Sequence, residues 1–215
     1  MRKRTLLILV SMLTFTLSLA QEGNQSRAIL NKAYTAFEAS EGICLTFTLS
    51  MLDLTNTPID VQTGEAYTKG NKFKLDTEAM TIWFDGKTQW VLMKEVNEVN
   101  ISQPTEQEVA SISPLALLGI YKEGYTLAPP VTTTVNGKQA YRIDMAPTSN
   151  RGDFQSVSVT IDPTNHALTR VILTGHDGMK TRIDIIEYNA NQRYQDSHFT
   201  FNASAYPDVE IVDLR

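Results

Sequence analysis

A single cysteine, three histidines and a shortage of basic residues set the first limits on this 215-residue chain. Cys44 alone excludes an intramolecular disulfide framework and any metal site built from several cysteines. Lysine and arginine number 19 against 24 acidic residues, a net charge of −5. That balance lacks the basic footprint needed to neutralise phosphates, so no nucleic-acid partner is expected, nor stable adsorption to an anionic membrane. No Gly-x-Ser-x-Gly elbow, Walker loop or dinucleotide fingerprint occurs. His166, His176 and His198 fall in or beside turn sequences without the i, i+4 pairing of a helical zinc site. His176-Asp177 has no nucleophile in a distinctive local context to serve, so the chain reads as a non-enzyme without metal or cofactor.

The chain does have an address at its start. Arg2-Lys3-Arg4 precede an uncharged, leucine-rich run from Thr5 to Ala20 that ends Ser18-Leu19-Ala20. This is the pattern of a secretory signal peptide, residues 1–20, cut before Gln21. The run is shorter than a membrane span and is broken by Ser11, Thr14, Thr16 and Ser18. Without Arg2, Lys3 and Arg4 the basic count falls from 19 to 16 against 24 acidic residues, a balance of −8. Gln21 in place of cysteine disfavours a lipid anchor. Residues 21–215 are expected to form one soluble, exported domain, with no linker or repeat to divide it.

Gln25 to Ala39 reads as an amphipathic helix, with Ser26 as cap and Ile29, Leu30, Ala33 and Phe37 on one face. From Ile43 the period becomes two: Ile43, Leu45, Phe47, Leu49 and Met51 alternate with Cys44, Thr46, Thr48 and Ser50. Asp85-Gly86, Asn136-Gly137 and Asp177-Gly178 carry the hairpin signal between runs rich in β-branched and aromatic residues, and Asp162-Pro163-Thr164-Asn165 supplies another turn. The expected body is an antiparallel meander of about ten or eleven strands. One segment interrupts it. Thr105-Glu106-Gln107-Glu108 has capping-box spacing and Ser113-Pro114 restarts a helix, so Glu106–Tyr121 should be two short helices. The second, Pro114-Leu115-Ala116-Leu117-Leu118-Gly119-Ile120, is apolar on nearly every side. Such a helix is either buried or covers something apolar. A filled core and a lipid cavity are both consistent with this apolar surplus.

Gly64-Glu65-Ala66-Tyr67-Thr68-Lys69-Gly70-Asn71-Lys72-Phe73, followed by Ile82-Trp83-Phe84-Asp85-Gly86-Lys87-Thr88-Gln89-Trp90, resembles the periplasmic outer-membrane lipoprotein carrier family of LolA type. The likeness continues in Ser113-Pro114-Leu115-Ala116-Leu117-Leu118, similar to the family's lid helix, and in Phe199-Thr200-Phe201 and Val209–Asp213, similar to its last strands. The resemblance implies a mainly β fold with α, an incomplete antiparallel β-barrel whose concave face is covered by helices. It also implies a function: a periplasmic chaperone that holds lipoprotein acyl chains and carries them, as a monomer, from an inner-membrane ABC transporter to an outer-membrane acceptor. A lipid- or lipoprotein-sensing module of the same fold, regulating a partner protein, is the alternative. Lys69-Gly70 stands where the family commonly has Arg-Pro, so Lys69 is the candidate for the lid contact. After Trp90 the family's Tyr-x-Pro is replaced by Val91-Leu92-Met93-Lys94.

Strand alternation and the resemblance together nominate a lipid-binding set: Leu45, Phe47, Leu49 and Met51 on one strand, Phe73 and Leu75 on a neighbour, and Leu115, Leu117 and Leu118 at the mouth. A two-residue Asp85-Gly86 turn would set Phe84 opposite Lys87 and Thr81 opposite Trp90, turning Ile82 and Trp90 to opposite faces. The Trp90 and Leu92 face, free of Lys87 and Gln89, is expected to line the cavity. Leu118→Glu is then expected to abolish acyl binding without unfolding the sheet.

Overall fold

The change of period near Ile43 is where helix gives way to sheet. The computed structural model describes residues 24–105, 108–109, 113, 118–149 and 154–215, and its first helix, α1, spans 24–38. The stripe Leu30, Ala33 and Phe37 is buried, with Ile29 and Tyr34 packed beside it. Ser26 is not the cap. It lies inside the helix, fully buried, and its Oγ donates to the Ala128 carbonyl at 2.6 Å.

Among the described residues thirteen strands follow in one sheet. In chain order they are β1 (Ile43–Leu52), β2 (Pro58–Lys69), β3 (Lys72–Thr77), β4 (Met80–Phe84), β5 (Gln89–Met93), β6 (Glu98–Ser102), β7 (Tyr125–Leu127), β8 (Val131–Val135), β9 (Lys138–Pro147), β10 (Ser156–Ile161), β11 (Leu168–Thr174), β12 (Lys180–Ala190) and β13 (Glu210–Asp213). The order across the sheet is β13-β6-β5-β4-β3-β2-β1-β12-β11-β10-β9-β7, with β8 also on β9. The curved sheet is not closed, so the expected open architecture is present with more strands than expected. The surplus includes β7, of three residues, too short to show a period. Of the two expected last strands, Val209–Asp213 is present as β13, whereas Phe199–Phe201 forms none: Phe199 ends a 3-10 turn and Phe201 packs on the outer cluster. Nor is the sheet wholly antiparallel: β13 joins β6 in parallel, after the chain has crossed the sheet from the end of β12.

Turn chemistry fixes the register. Asn136-Gly137, with φ of 51° and 76°, closes β8 on β9 in two residues, as such a left-handed pair should. The Asp85 turn differs from expectation. Asp85 Oδ1 accepts from the Lys87 and Thr88 amides at 2.9 and 2.7 Å, and Asp85 N donates to Thr88 O at 3.2 Å. A side chain that ties both amides holds four residues in the loop, so Phe84 pairs with Gln89 and Trp83 with Trp90.

Two faces result. The inner face runs through the register Leu45, Ala66, Leu75, Ile82 and Val91 on five adjacent strands. Its Leu45, Ala66 and Leu75 share one core with α1 and with Ile143, Met145, Val157 and Val159. On the outer face the parallel row is Cys44, Tyr67, Lys74, Trp83, Trp90 and Ile101. Residues 191–209 cross that face as a strap, and Phe201, Tyr206 and Val209 make a second cluster with Trp83, Trp90, Leu92, Val99 and Ile101.

Candidate functional site

The inner face encloses an apolar cavity of about 160 Å³, lined by Leu45, Phe47, Leu49, Ala66 and Leu75 and closed on its other side by β11 and β12. Gly64 opens room for it: a Cβ there would stand 2.6 Å from Phe47 Cζ and 2.7 Å from Asp76 O, so only glycine lets the Phe47 ring lie across β2. Leu45, Phe47, Leu49 and Leu75 were nominated from the sequence. Leu168, Val171, Leu173, Ile183 and Ile185, which line the same space, were not. For Val171, Leu173, Ile183 and Ile185 the alternation in Thr169–Leu173 and Met179–Tyr188 was the available signal.

The other nominated residues divide. Phe73 sits with Ile82 and Phe84 in a small cluster that Leu75, Val91 and Val109 join, its ring 5.3 Å from that of Phe84. Leu75 belongs to this cluster and to the main core, so Phe73 is one layer from the cavity. Met51 shares the Leu45 side of β1 but is 41% exposed at the strand's end. Leu118 is 2% exposed and packed in the main core. Leu115 and Leu117 lie outside the described residues.

Trp90 and Leu92 are on the wrong side of the sheet for this cavity. β3 decides the matter, because Phe73 pairs with Phe84 and Leu75 with Ile82, carrying the Leu45 face to Ile82 and Val91. Trp90 and Leu92 pack under the strap instead.

Lys69 also meets the strap: its Nζ is 2.8 Å from Asp196 Oδ1 and 3.0 Å from the Tyr194 carbonyl oxygen, and Lys72 holds the other Asp196 oxygen at 2.7 Å. Most of the lid segment, to which Lys69 was expected to reach, lies outside the described residues. The two ammonium groups hold the Asp196 carboxyl down to about 2. Next to this clamp, His198 stacks on Tyr194 at 4.9 Å and meets the edge of Tyr67 at 4.8 Å. Burial, then the nearby Lys74 charge, lower its pKa. Cys44 is half-buried on this outer face, where burial first and Glu65 second push its thiol up.

At the start of the lid segment the capping box is formed. Thr105 N donates to Glu108 Oε2 at 2.7 Å and Glu108 N donates back to Thr105 Oγ1 at 3.3 Å. Past it, Tyr121 is buried with its hydroxyl donating to Asn31 Oδ1 at 2.6 Å, so residues 118–122 are fastened to α1. Between this segment and the β4–β5 loop lies an open cleft of about 710 Å³. Among the described residues no cluster of three or more His, Cys, Asp or Glu could hold a metal ion, and no helix is long and apolar enough to cross a membrane.

The family described as outer membrane lipoprotein carrier protein LolA matches the sequence over residues 16–176. No curated protein matches the chain. Among solved structures, an uncharacterised conserved protein from Thermus thermophilus superposes with a TM-score of 0.59 at 10% identity, over 88% of this chain and 99% of that one. A LolA superfamily protein from Nitrosomonas europaea gives a TM-score of 0.45 at 11% identity, over 82% and 97%. MucB of Pseudomonas aeruginosa, solved in complex with MucA, gives 0.45 at 13% identity, over 83% of this chain and 62% of that one.

Proposed function

The chain belongs to the outer membrane lipoprotein carrier protein LolA family, and from that premise we propose that it is a periplasmic carrier of lipoproteins. The observation that supports the reading is the apolar cavity of about 160 Å³ between β1–β3 and β11–β12 on the face that α1 packs against. A void of that size in an aliphatic wall stays dry and holds a benzene-sized group. A full acyl chain is larger. Loading then requires α1, with residues 118–122 fastened to it, to move off the sheet, with Leu45, Phe47, Leu49 and Leu75 touching the chain.

The energetics set how such a carrier must work. A buried methylene gains about 0.8 kcal/mol over water, so a chain of roughly fifteen gains on the order of 12 kcal/mol. A bilayer offers the same gain, which makes loading from a membrane nearly neutral. An inner-membrane ABC transporter drives that step, and an outer-membrane acceptor with a better site takes the cargo. Residues 1–20 direct export and are removed. Residues 21–215 act as one soluble monomeric domain, without chemistry of their own.

Depleting the protein should leave outer-membrane lipoproteins in the inner membrane. Normal sorting after depletion, with no second copy present, refutes the carrier. Native mass spectrometry of protein purified from its own periplasm separates the alternatives: bound lipoprotein identifies a carrier, and a stoichiometric regulatory protein identifies a sensor.

A further inference from the structure

We infer that the open cleft beside the lid segment is a head-group site for a single-chain amphiphile whose head ends in a phosphate monoester or a carboxylate. The inference rests on the acyl-binding reading above and names the kind of head that accompanies the chain.

The cleft has an apolar floor and a cationic rim. Phe84 and Val109 line it and belong to the cluster that Leu75 joins, and Leu75 also lines the inner cavity. One packed apolar cluster therefore lies between the cleft and the cavity. Around its rim stand Lys87, from the β4–β5 loop, and Lys122, beyond the lid segment. Asn71 and Gln103 add neutral amides, and no described lining residue is acidic.

These two lysines differ from those nearby. Lys69, Lys72, Lys74 and Lys94 each have a carboxylate oxygen within 3.7 Å. Neither Lys87 nor Lys122 has an ion-pair partner among the described residues; Lys122 Nζ instead lies 3.2 Å from the centroid of the Tyr34 ring. Asp85, the carboxylate closest in sequence to Lys87, is engaged by its own loop amides, and among the described residues Glu123, the neighbour of Lys122, forms no ion pair with it. Two cations without an ion-pair partner among the described residues, at an apolar opening in a protein of net charge −5, run against the overall charge. An ammonium is a compact point charge that suits phosphate or carboxylate oxygens. About 710 Å³ is ample for such a head.

The test measures displacement of a fluorescent fatty-chain probe from the purified mature chain at low ionic strength. The competitors share one palmitoyl chain, each below its micellar concentration: lysophosphatidic acid, lysophosphatidylcholine and monopalmitin. Lysophosphatidic acid is expected to bind about tenfold or more tighter than monopalmitin, a preference that falls with added salt. Lys87→Gln with Lys122→Gln should erase that preference and leave monopalmitin binding unchanged. Inorganic phosphate alone should not displace the probe. Equal binding of the charged and neutral amphiphiles overturns the head-group site while the acyl cavity stands. A preference that survives the double substitution places the anion elsewhere and overturns it too. Displacement by inorganic phosphate at the concentration of the lysolipid makes the cleft a free-anion site and overturns it as well. If no amphiphile binds, the acyl reading falls and this inference with it.

Discussion

Trp83 stands directly opposite Trp90 across β4 and β5, and both indoles lie on the face turned away from Leu45. The pair is the floor for Phe201 and Tyr206, whose rings lie 5.6 and 6.1 Å from Trp83. This makes the back of the sheet a second core, formed late in the sequence order because its cover is the C-terminal strap. Trp83 is 5% exposed. Trp83→Ala should therefore cost about 3–5 kcal/mol of stability, read from urea unfolding, and leave acyl-probe affinity unchanged once the protein is folded. Loss of binding in a folded Trp83→Ala protein would put the binding site on the outer face.

The inner face makes the converse prediction. Ala66 is buried and points into the cavity of about 160 Å³. Ala66→Leu should fill part of that void, lower acyl-probe affinity, and change stability by less than the roughly 1–3 kcal/mol typical of overpacking, because the added carbons enter empty space. Competition with the probe and an unfolding curve on the same sample check both halves.

Leu118 changes its role on sight of the structure. With 2% of its surface exposed and its neighbours in the main core, it is a packing residue as much as a lid residue. Leu118→Glu is accordingly expected to unfold the protein, since a carboxylate buried there has no partner to offset its desolvation. The milder Leu118→Ala should cost about 2–5 kcal/mol and leave a folded protein whose probe affinity can be measured. Cooperative unfolding of Leu118→Glu at the wild-type midpoint would place the side chain at the surface.

What the sequence disclosed follows from what is local. The stripe Leu30, Ala33 and Phe37, the alternation through Leu45 and Phe47, the capping box at Thr105 and the Asn136-Gly137 hairpin each depend on residues near one another, and each is present. The fold class followed from these and from the resemblance. Strand alternation also separated Ile82 from Trp90 correctly, because adding two residues to the Asp85 loop preserves the parity of the faces. Which face is inner could not be read that way. It is settled by the pairing of Leu75 with Ile82 and by the strap, whose Phe201 and Tyr206 are more than a hundred residues from the tryptophans they cover. Lys69 shows the same limit, for its partner Asp196 lies 127 positions away.

The strap supplies the last prediction, a dependence on pH. His198 faces Tyr67 from β2, Lys74 from β3, and Tyr194 and Phe199 from its own segment; Cys44 and Glu65 stand in the same outer-face cluster. Its Nε2 is buried with no hydrogen-bond partner among the described residues. Burial, reinforced by Lys74, disfavours the imidazolium, so the folded pKa lies below the ordinary 6.5. The unfolded chain therefore binds more protons in the window just under 6.5, and stability rises with pH there. The contribution is fully present above 6.5, is lost as pH falls through the depressed folded value, and is constant below it. Asp196 cannot produce this loss. Its carboxyl is held from 3.8 down to about 2, so what it contributes is kept until the pH drops below about 4. The urea midpoint should thus decline between pH 7 and 5 in the wild type and stay flat in His198→Phe, which keeps a ring against Tyr194 but cannot titrate. The protection of amides in residues 195–200, corrected for the slower intrinsic exchange at lower pH, should fall over the same interval. An equal decline in His198→Phe would assign the effect to another group.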